Sequence, residues 1–215
     1  MNNNGSIIRR PFRYRNENIV FILIGINLLV YLAELFLSNF PLIQIMSMNP
    51  IIVMRLGWVW QFVTYMFVHD PRSIAHLVFN MIALFIFGRQ VEWKMGSREF
   101  LLYYLLTGIL AGFFSFLIYI FTGNLMVRLL GASGAIFAVQ LAFASFFPDS
   151  IVYLWGIIPL RAPVMVLGFT ALELVLMLAG MGGNVAHATH LAGFGFGWLY
   201  FLIRFGINPW RSMRR

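Results

Sequence analysis

A chain of 215 residues that is 61% hydrophobic and only 10% charged has too much apolar surface, and too few charges, for a soluble domain of its size. The net charge of +8 does not point to nucleic acid, because the arginines gather in terminal clusters (Arg9, Arg10, Arg13, Arg15 and Arg204, Arg211, Arg214, Arg215) beside apolar segments, the pattern that sets topology against anionic lipid. With no cysteine, disulfide staples and thiol chemistry are excluded. The expected class is an all-α polytopic membrane protein built as one bundle, with the lipid bilayer as a partner and no nucleic acid.

A polar, basic tail over residues 1–18 precedes Ile19–Leu37, which is long enough to cross the hydrocarbon. No small-residue cleavage site follows, so the segment reads as a retained signal anchor. The stretch Ser38–Trp60 is apolar and rich in Met46, Met48, Met54, Trp58 and Trp60, yet Pro41, Asn49-Pro50 and Gly57 break it too often for a span. It fits an amphipathic insertion in the outer interface. Further spans are expected at Ile74–Val91, Phe100–Phe121, Ser133 to just before Pro148, Pro163–Leu178 and Ala186–Phe205, six in all with the first.

Placing both termini in the cytoplasm puts twelve of the fifteen Lys and Arg on the inner side, as the positive-inside rule requires. The expected organisation is therefore a cytoplasmic tail (1–18), a six-helix membrane domain (19–206) and a second basic cytoplasmic tail (207–215). The segment from Ser133 is short: at about 1.5 Å rise it reaches roughly 20 Å, against a hydrocarbon core of roughly 30 Å. It is expected to start part-way down, at the floor of a water-filled pocket, since the non-helical backbone before it is tolerated at depth only under protein or cavity water.

Polar side chains in such segments need a reason. On the fourth span Gly134, Ala138, Ala142 and Ser145 form one small-residue stripe, and on the sixth Gly193 and Gly197 form a GxxxG pair. If the stripes pack together, His190, three residues before Gly193, and Ser133, at the head of its helix, come within reach. A histidine base can take the proton that makes a serine hydroxyl nucleophilic. Backbone N–H groups at a helix start can also stabilise an oxyanion. His76 and Asn80, at i and i+4 on the second span, add two donors on one face. Gly131-Ala132-Ser133-Gly134-Ala135 lacks the fifth glycine of a nucleophile elbow, and no strand precedes it, so an α/β-hydrolase is rejected.

These segments, in order, resemble the rhomboid family of intramembrane serine proteases. The run Trp60 to His69 is similar to that family's approach to its second helix, and His76-Leu77-Val78-Phe79-Asn80 to its HLxxN motif. Gly88, Glu92 and Gly96-Ser97 are similar to the close of that helix. Gly131-Ala132-Ser133-Gly134 matches GxSG, and His190 with Gly193 and Gly197 matches HxxGxxxG. The resemblance implies a Ser133 nucleophile, a His190 base, and an oxyanion hole from His76, Asn80 and the Ser133 N–H. Gly131, Gly134, Phe137, His187, Gly193 and Gly197 would line the cavity or pack the helices. It also implies a membrane-embedded first loop at Ser38–Trp60, and a fifth helix acting with Gly180 to Ala186 as gate and cap. Transmembrane proteins would be the substrates, with no cofactor or metal.

Three departures stand out: Gln61 where the family often has Arg, Phe137 where a Tyr often stacks on the base, and a longer spacing from His69 to His76 across Asp70-Pro71. Elsewhere, Glu92 is expected to bond helix-end groups near the inner face and Glu34 to snorkel. His187 is expected to hydrogen-bond without catalysing, while Glu173 is left either protonated or paired.

The main rival is a zinc-dependent membrane hydrolase using His76, His187 and His190, with Asp70 nearby. A non-catalytic relative that binds membrane helices would need neither Ser133 nor His190, and a transporter would show an inverted repeat. The natural substrate, oligomeric state and pathway are left open, and the expected location is a prokaryotic plasma membrane.

Overall fold

Long apolar runs leave the backbone one way to satisfy its hydrogen bonds away from water, and helices dominate accordingly. The computed structural model describes residues 12–37, 39–154, 156–180 and 184–214. Arg9, Arg10, Arg215 and residues 181–183 of the expected cap lie outside the described residues.

Helix α1 (Ile19–Phe36) leads to two short helices, α2 (Leu42–Met46) and α3 (Pro50–Leu56), and then α4 (Gln61–Thr64), which continues as a 3-10 turn at Tyr65–Phe67. The second long helix runs as α5 (Ile74–Ala83), a wide π-helical turn (Leu84–Gly88) and α6 (Arg89–Met95). It outlasts the expected end at Val91 and stops at Gly96, whose φ of 86° favours glycine. Helix α7 (Ser97–Phe121) follows, then α8 (Ser133–Phe146), α9 (Ala162–Leu178), α10 (Asn184–Tyr200) with a π-helical extension at Phe201–Phe205, and α11 (Pro209–Met213). Among the described residues three helices are long and apolar enough to cross a membrane: Ile19–Phe36, Ile74–Met95 and Ser97–Phe121.

An all-α chain was the expectation, and one element departs from it. Strands β1 (Ile151–Leu154) and β2 (Ile158–Arg161) form an antiparallel hairpin between α8 and α9, pairing Ile151 with Arg161 and Leu154 with Ile158. The signal lay in the β-branched and aromatic run around Gly156, a glycine at φ 72°. The Arg161 guanidinium donates to Asp149 at 2.5 Å beside the open end.

Helix α8 is the centre of the molecule. Gly134 to Ser145 are all buried but Phe137, because α7, α9, α10 and the second long helix surround it. Its shortness follows from that place: a helix walled by protein need not match the thickness of lipid. Close approach to α10 requires glycine, since a Cβ on Gly193 would sit 1.9 Å from the Gly134 carbonyl oxygen. A Cβ on Gly197 would meet the Tyr103 hydroxyl at 2.6 Å, and that hydroxyl donates to the Ala138 carbonyl at 2.6 Å.

Carboxylates tie the ends together. Glu92 accepts the backbone N–H groups of Ile19 (2.7 Å) and Val20 (3.0 Å). It thereby caps two free donors at the start of α1 and meets the positive end of that helix. The Ser97 hydroxyl also donates to Glu92. Glu99, almost fully buried, accepts from Arg204 Nε (2.7 Å) and Nη2 (2.9 Å), Tyr200 (2.5 Å) and the Phe12 N–H (3.2 Å). Arg204 is thus a partner in a buried ion pair as well as a terminal cation, and Phe12 to Glu17 packs on the α6–α7 turn.

The insertion before α4 is held by its own polar groups. Gln61, fully buried, accepts the Asn49 N–H at 3.0 Å and donates to the carbonyls of Gln44 (3.0 Å) and Ile45 (3.1 Å). Met48 and Leu129 exchange backbone hydrogen bonds, which ties the insertion to the segment ahead of α8. Glu34 does not snorkel: its carboxylate is buried with neither oxygen hydrogen-bonded in the described structure. The reason is that Phe40 to Gln44 and Arg128 fold over the C-terminal end of α1 and line, with Glu34, a cavity of about 210 Å³.

Candidate active site

Helix α8 begins at Ser133 because Gly131, at φ 112°, turns the chain abruptly into it. The Gly131 N–H donates to the Tyr65 carbonyl at 2.9 Å, pinning the turn to the 3-10 segment. Glycine is also required for space. A Cβ there would lie 2.8 Å from His76 Cε1, 3.0 Å from His76 Nε2 and 3.9 Å from Asn80 Nδ2. The backbone leading into Ser133 therefore runs directly past the two polar side chains of α5.

The close packing of α8 and α10 brings His190 Nε2 to 2.7 Å from Ser133 Oγ. Both residues are half-buried, whereas Asn80 is almost wholly buried. Phe137, one turn along α8, lies flat on the His190 ring, with centroids 4.6 Å apart and planes 7° apart. Gly134 accommodates Ala111 and Thr189, each of which would meet an added Cβ at 3.2 Å. Ser133, His190 and Phe137 thus stand together, with His76 and Asn80 against the turn that leads into Ser133.

Two neighbours were not assigned a place beforehand. His69, fully buried, has its Nε2 3.1 Å from Asn80 Nδ2, and its ring centroid is 5.2 Å from that of His76. Burial, reinforced by His76, pushes the His69 pKa from 6.5 down to about 4, so the ring is neutral and accepts the Asn80 proton. Asp70 does not join the site. Its carboxylate binds Arg72 at 3.1 Å on the exposed loop, which holds its pKa below the usual carboxylate range. The second neighbour is Glu173 on α9, which accepts from His187 Nδ1 and has the same oxygen 3.1 Å from His190 Nδ1. The only hint in the sequence was an acidic residue inside an apolar helix.

The zinc set His76, His187 and His190 does not assemble. Among the described residues the cluster with donor atoms within 4.8 Å of one another is Glu173, His187 and His190, without His76. His76 instead lies against the Gly131 backbone. A cation at that cluster would draw on the His190 Nδ1, behind the ring, and the Nε2 edge is occupied by Ser133.

Comparison with known proteins identifies the family. The rhomboid domain family model matches residues 56–207, more than half of the chain, and the protein belongs to the rhomboid family. It is 31% identical over 199 residues to rhomboid-like protein 11, chloroplastic, of Arabidopsis thaliana, covering 86% of this chain and 64% of the relative. Identity to rhomboid protein 1, mitochondrial, of Saccharomyces cerevisiae is 30% over 205 residues, covering 88% of this chain and 55% of the relative. The rhomboid protease GluP of Bacillus subtilis is 41% identical over 81 residues, 38% of this chain and 14% of that one. The chain therefore spans less than two thirds of the length of each of these relatives.

Proposed function

We propose that this multi-pass membrane protein is an intramembrane serine endopeptidase that hydrolyses peptide bonds in or near transmembrane segments of other membrane proteins. The observation that supports it most directly is the 2.7 Å approach of His190 Nε2 to Ser133 Oγ, with His76 and Asn80 beside the Gly131 turn that leads into Ser133. Membership of a family with a relative named as a protease adds to it.

In this reading Ser133 Oγ attacks the scissile carbonyl carbon while its proton passes to His190 Nε2. A C–O bond forms, and the carbonyl π electrons move onto oxygen. The resulting oxyanion is met by the Ser133 N–H at the start of α8 and by His76 and Asn80, donors already fixed before the charge develops. His190 then protonates the leaving amine as the C–N bond breaks, and water, deprotonated by the same ring, releases the acyl group. Asn80 is held for this role by His69, which fixes the side-chain amide by accepting one of its protons.

The topology that goes with this reading has six spans and both termini in the cytoplasm. Three long helices, the shorter apolar α8 and α9, and α10 with its extension supply the spans. The host membrane proposed is a prokaryotic plasma membrane, supported by the Bacillus relative, with an organelle membrane as the alternative raised by the mitochondrial and chloroplastic ones. Labelling by a fluorophosphonate in detergent tests the chemistry: the wild type is expected to label and Ser133→Ala not to. Equal labelling of both removes the assignment.

A further inference from the structure

The hydrogen bond from Ser133 to His190 Nε2 demands a particular form of the imidazole. To accept a proton, Nε2 must carry a lone pair, so the ring proton sits on Nδ1. Nδ1 is buried, and it has no well-aligned hydrogen-bond partner among the described residues. A buried N–H left alone is costly. The nearby acceptor is the Glu173 carboxylate on α9, whose Oε2 lies 3.1 Å from Nδ1 at an oblique approach. Bonds of this kind are often loose in a free enzyme and tighten when substrate binds.

We propose that Glu173 is a positioning residue for His190, making the site a relay of Ser133, His190 and Glu173 with His187 as the brace. This deepens the serine endopeptidase reading and rests on it. The carboxylate holds the proton on Nδ1 and keeps Nε2 aimed at Ser133. When His190 takes the serine proton, the positive ring forms beside a negative charge in a setting that screens it poorly. The His187 Nδ1 donates to the same oxygen, one helical turn before His190, and fixes the direction in which the carboxylate points. Because Glu173 stands on α9 and both histidines on α10, the relay is complete only while those two helices stay together.

The test compares wild type, Glu173→Gln, Glu173→Asp and Ser133→Ala in detergent with a transmembrane peptide substrate. Glu173→Gln keeps the shape and removes the charge. It is expected to lower kcat by roughly 100-fold with little change in KM, as loss of general-base assistance does. The rate of fluorophosphonate labelling at Ser133 is expected to fall in parallel, while the thermal unfolding midpoint holds. Glu173→Asp restores the carboxylate and is expected to recover part of the loss. A kcat for Glu173→Gln within about twofold of wild type overturns the proposal. So does a loss that Glu173→Asp does not recover, or a loss that only tracks unfolding. Inactivation of the wild type by a strong chelator overturns it as well, since Glu173 would then be holding an ion. Cleavage by Ser133→Ala would instead remove the nucleophile assignment itself, whatever Glu173 does.

Discussion

Phe137 and His190 lie face to face, 4.6 Å between ring centres and 7° from parallel, although they are carried by different helices. The phenyl ring fills the place a tyrosine would take and covers one face of the imidazole without needing a hydroxyl. Removing the flat face leaves the ring free to tilt away from Ser133 Oγ. Phe137→Leu is expected to lower kcat by about 2- to 10-fold, the kinetic equivalent of an aromatic contact worth roughly 0.5–1.5 kcal/mol. Phe137→Tyr is expected to behave as wild type. Steady-state kinetics on a transmembrane substrate decides, and an unchanged kcat in Phe137→Leu shows that the stack does not orient the base.

Ser133→Ala and His190→Ala are each expected to abolish cleavage while the helix bundle stays folded, since both side chains are only partly buried and bond each other. Asn80→Ala is expected to lose roughly 10- to 1,000-fold in rate, as deletion of an oxyanion donor does elsewhere. Circular dichroism alongside a cleavage assay separates chemistry from folding. Cleavage at the normal rate by either of the first two variants sinks the mechanism, whereas a normal Asn80→Ala removes only that donor.

The glycines of α10 differ in what surrounds them. A Cβ on Gly193 would stand 1.9 Å from the Gly134 carbonyl oxygen, while one on Gly195 would meet nothing within 4 Å. Gly193→Val must push α8 and α10 apart and is expected to cost about 3 kcal/mol or more, enough to remove folded, active protein. Gly195→Ala is expected to leave stability equal or raise it by about 0.5–1 kcal/mol, because alanine orders a helix at lower entropic cost. Melting curves in detergent check both, and a stable Gly193→Val contradicts the packing.

His69 gives the fold a definite acid sensitivity. Its pKa is about 4 in the folded protein against an ordinary 6.5, so between those values the unfolded chain binds the proton that the native ring refuses. Stability is therefore full above about pH 6.5 and falls as the pH drops toward 4. Comparing unfolding midpoints at pH 7.5 and pH 5.0 is expected to show a smaller difference in His69→Gln than in wild type. Equal differences would mean that His69 does not titrate on unfolding.

Much of this was legible in the chain itself. Hydropathy set the class, and small residues at helical spacing showed that one face of α10 seeks another helix, with His190 riding on that face. Gly131 and Ser133 marked the start of α8 because a glycine turn and a serine at a helix head are local features. Helical period tells which residues share a face, and this holds whatever the face meets.

What a face meets is another matter, and there the tertiary structure decided. Glu173 lies fourteen residues from His187 and on a different helix, and no periodicity on α9 says that it turns to α10 rather than to lipid. Glu92 caps α1 from 73 residues away. Glu34 looked free to reach water and is shut in by the insertion that follows it. Gln61 spends its amide on the backbone of the loop before it. A buried polar group must find its partner wherever packing brings one, and packing is a property of all the helices together. The chain alone determined which residues were too polar to be idle; only the assembled bundle determined what each of them holds.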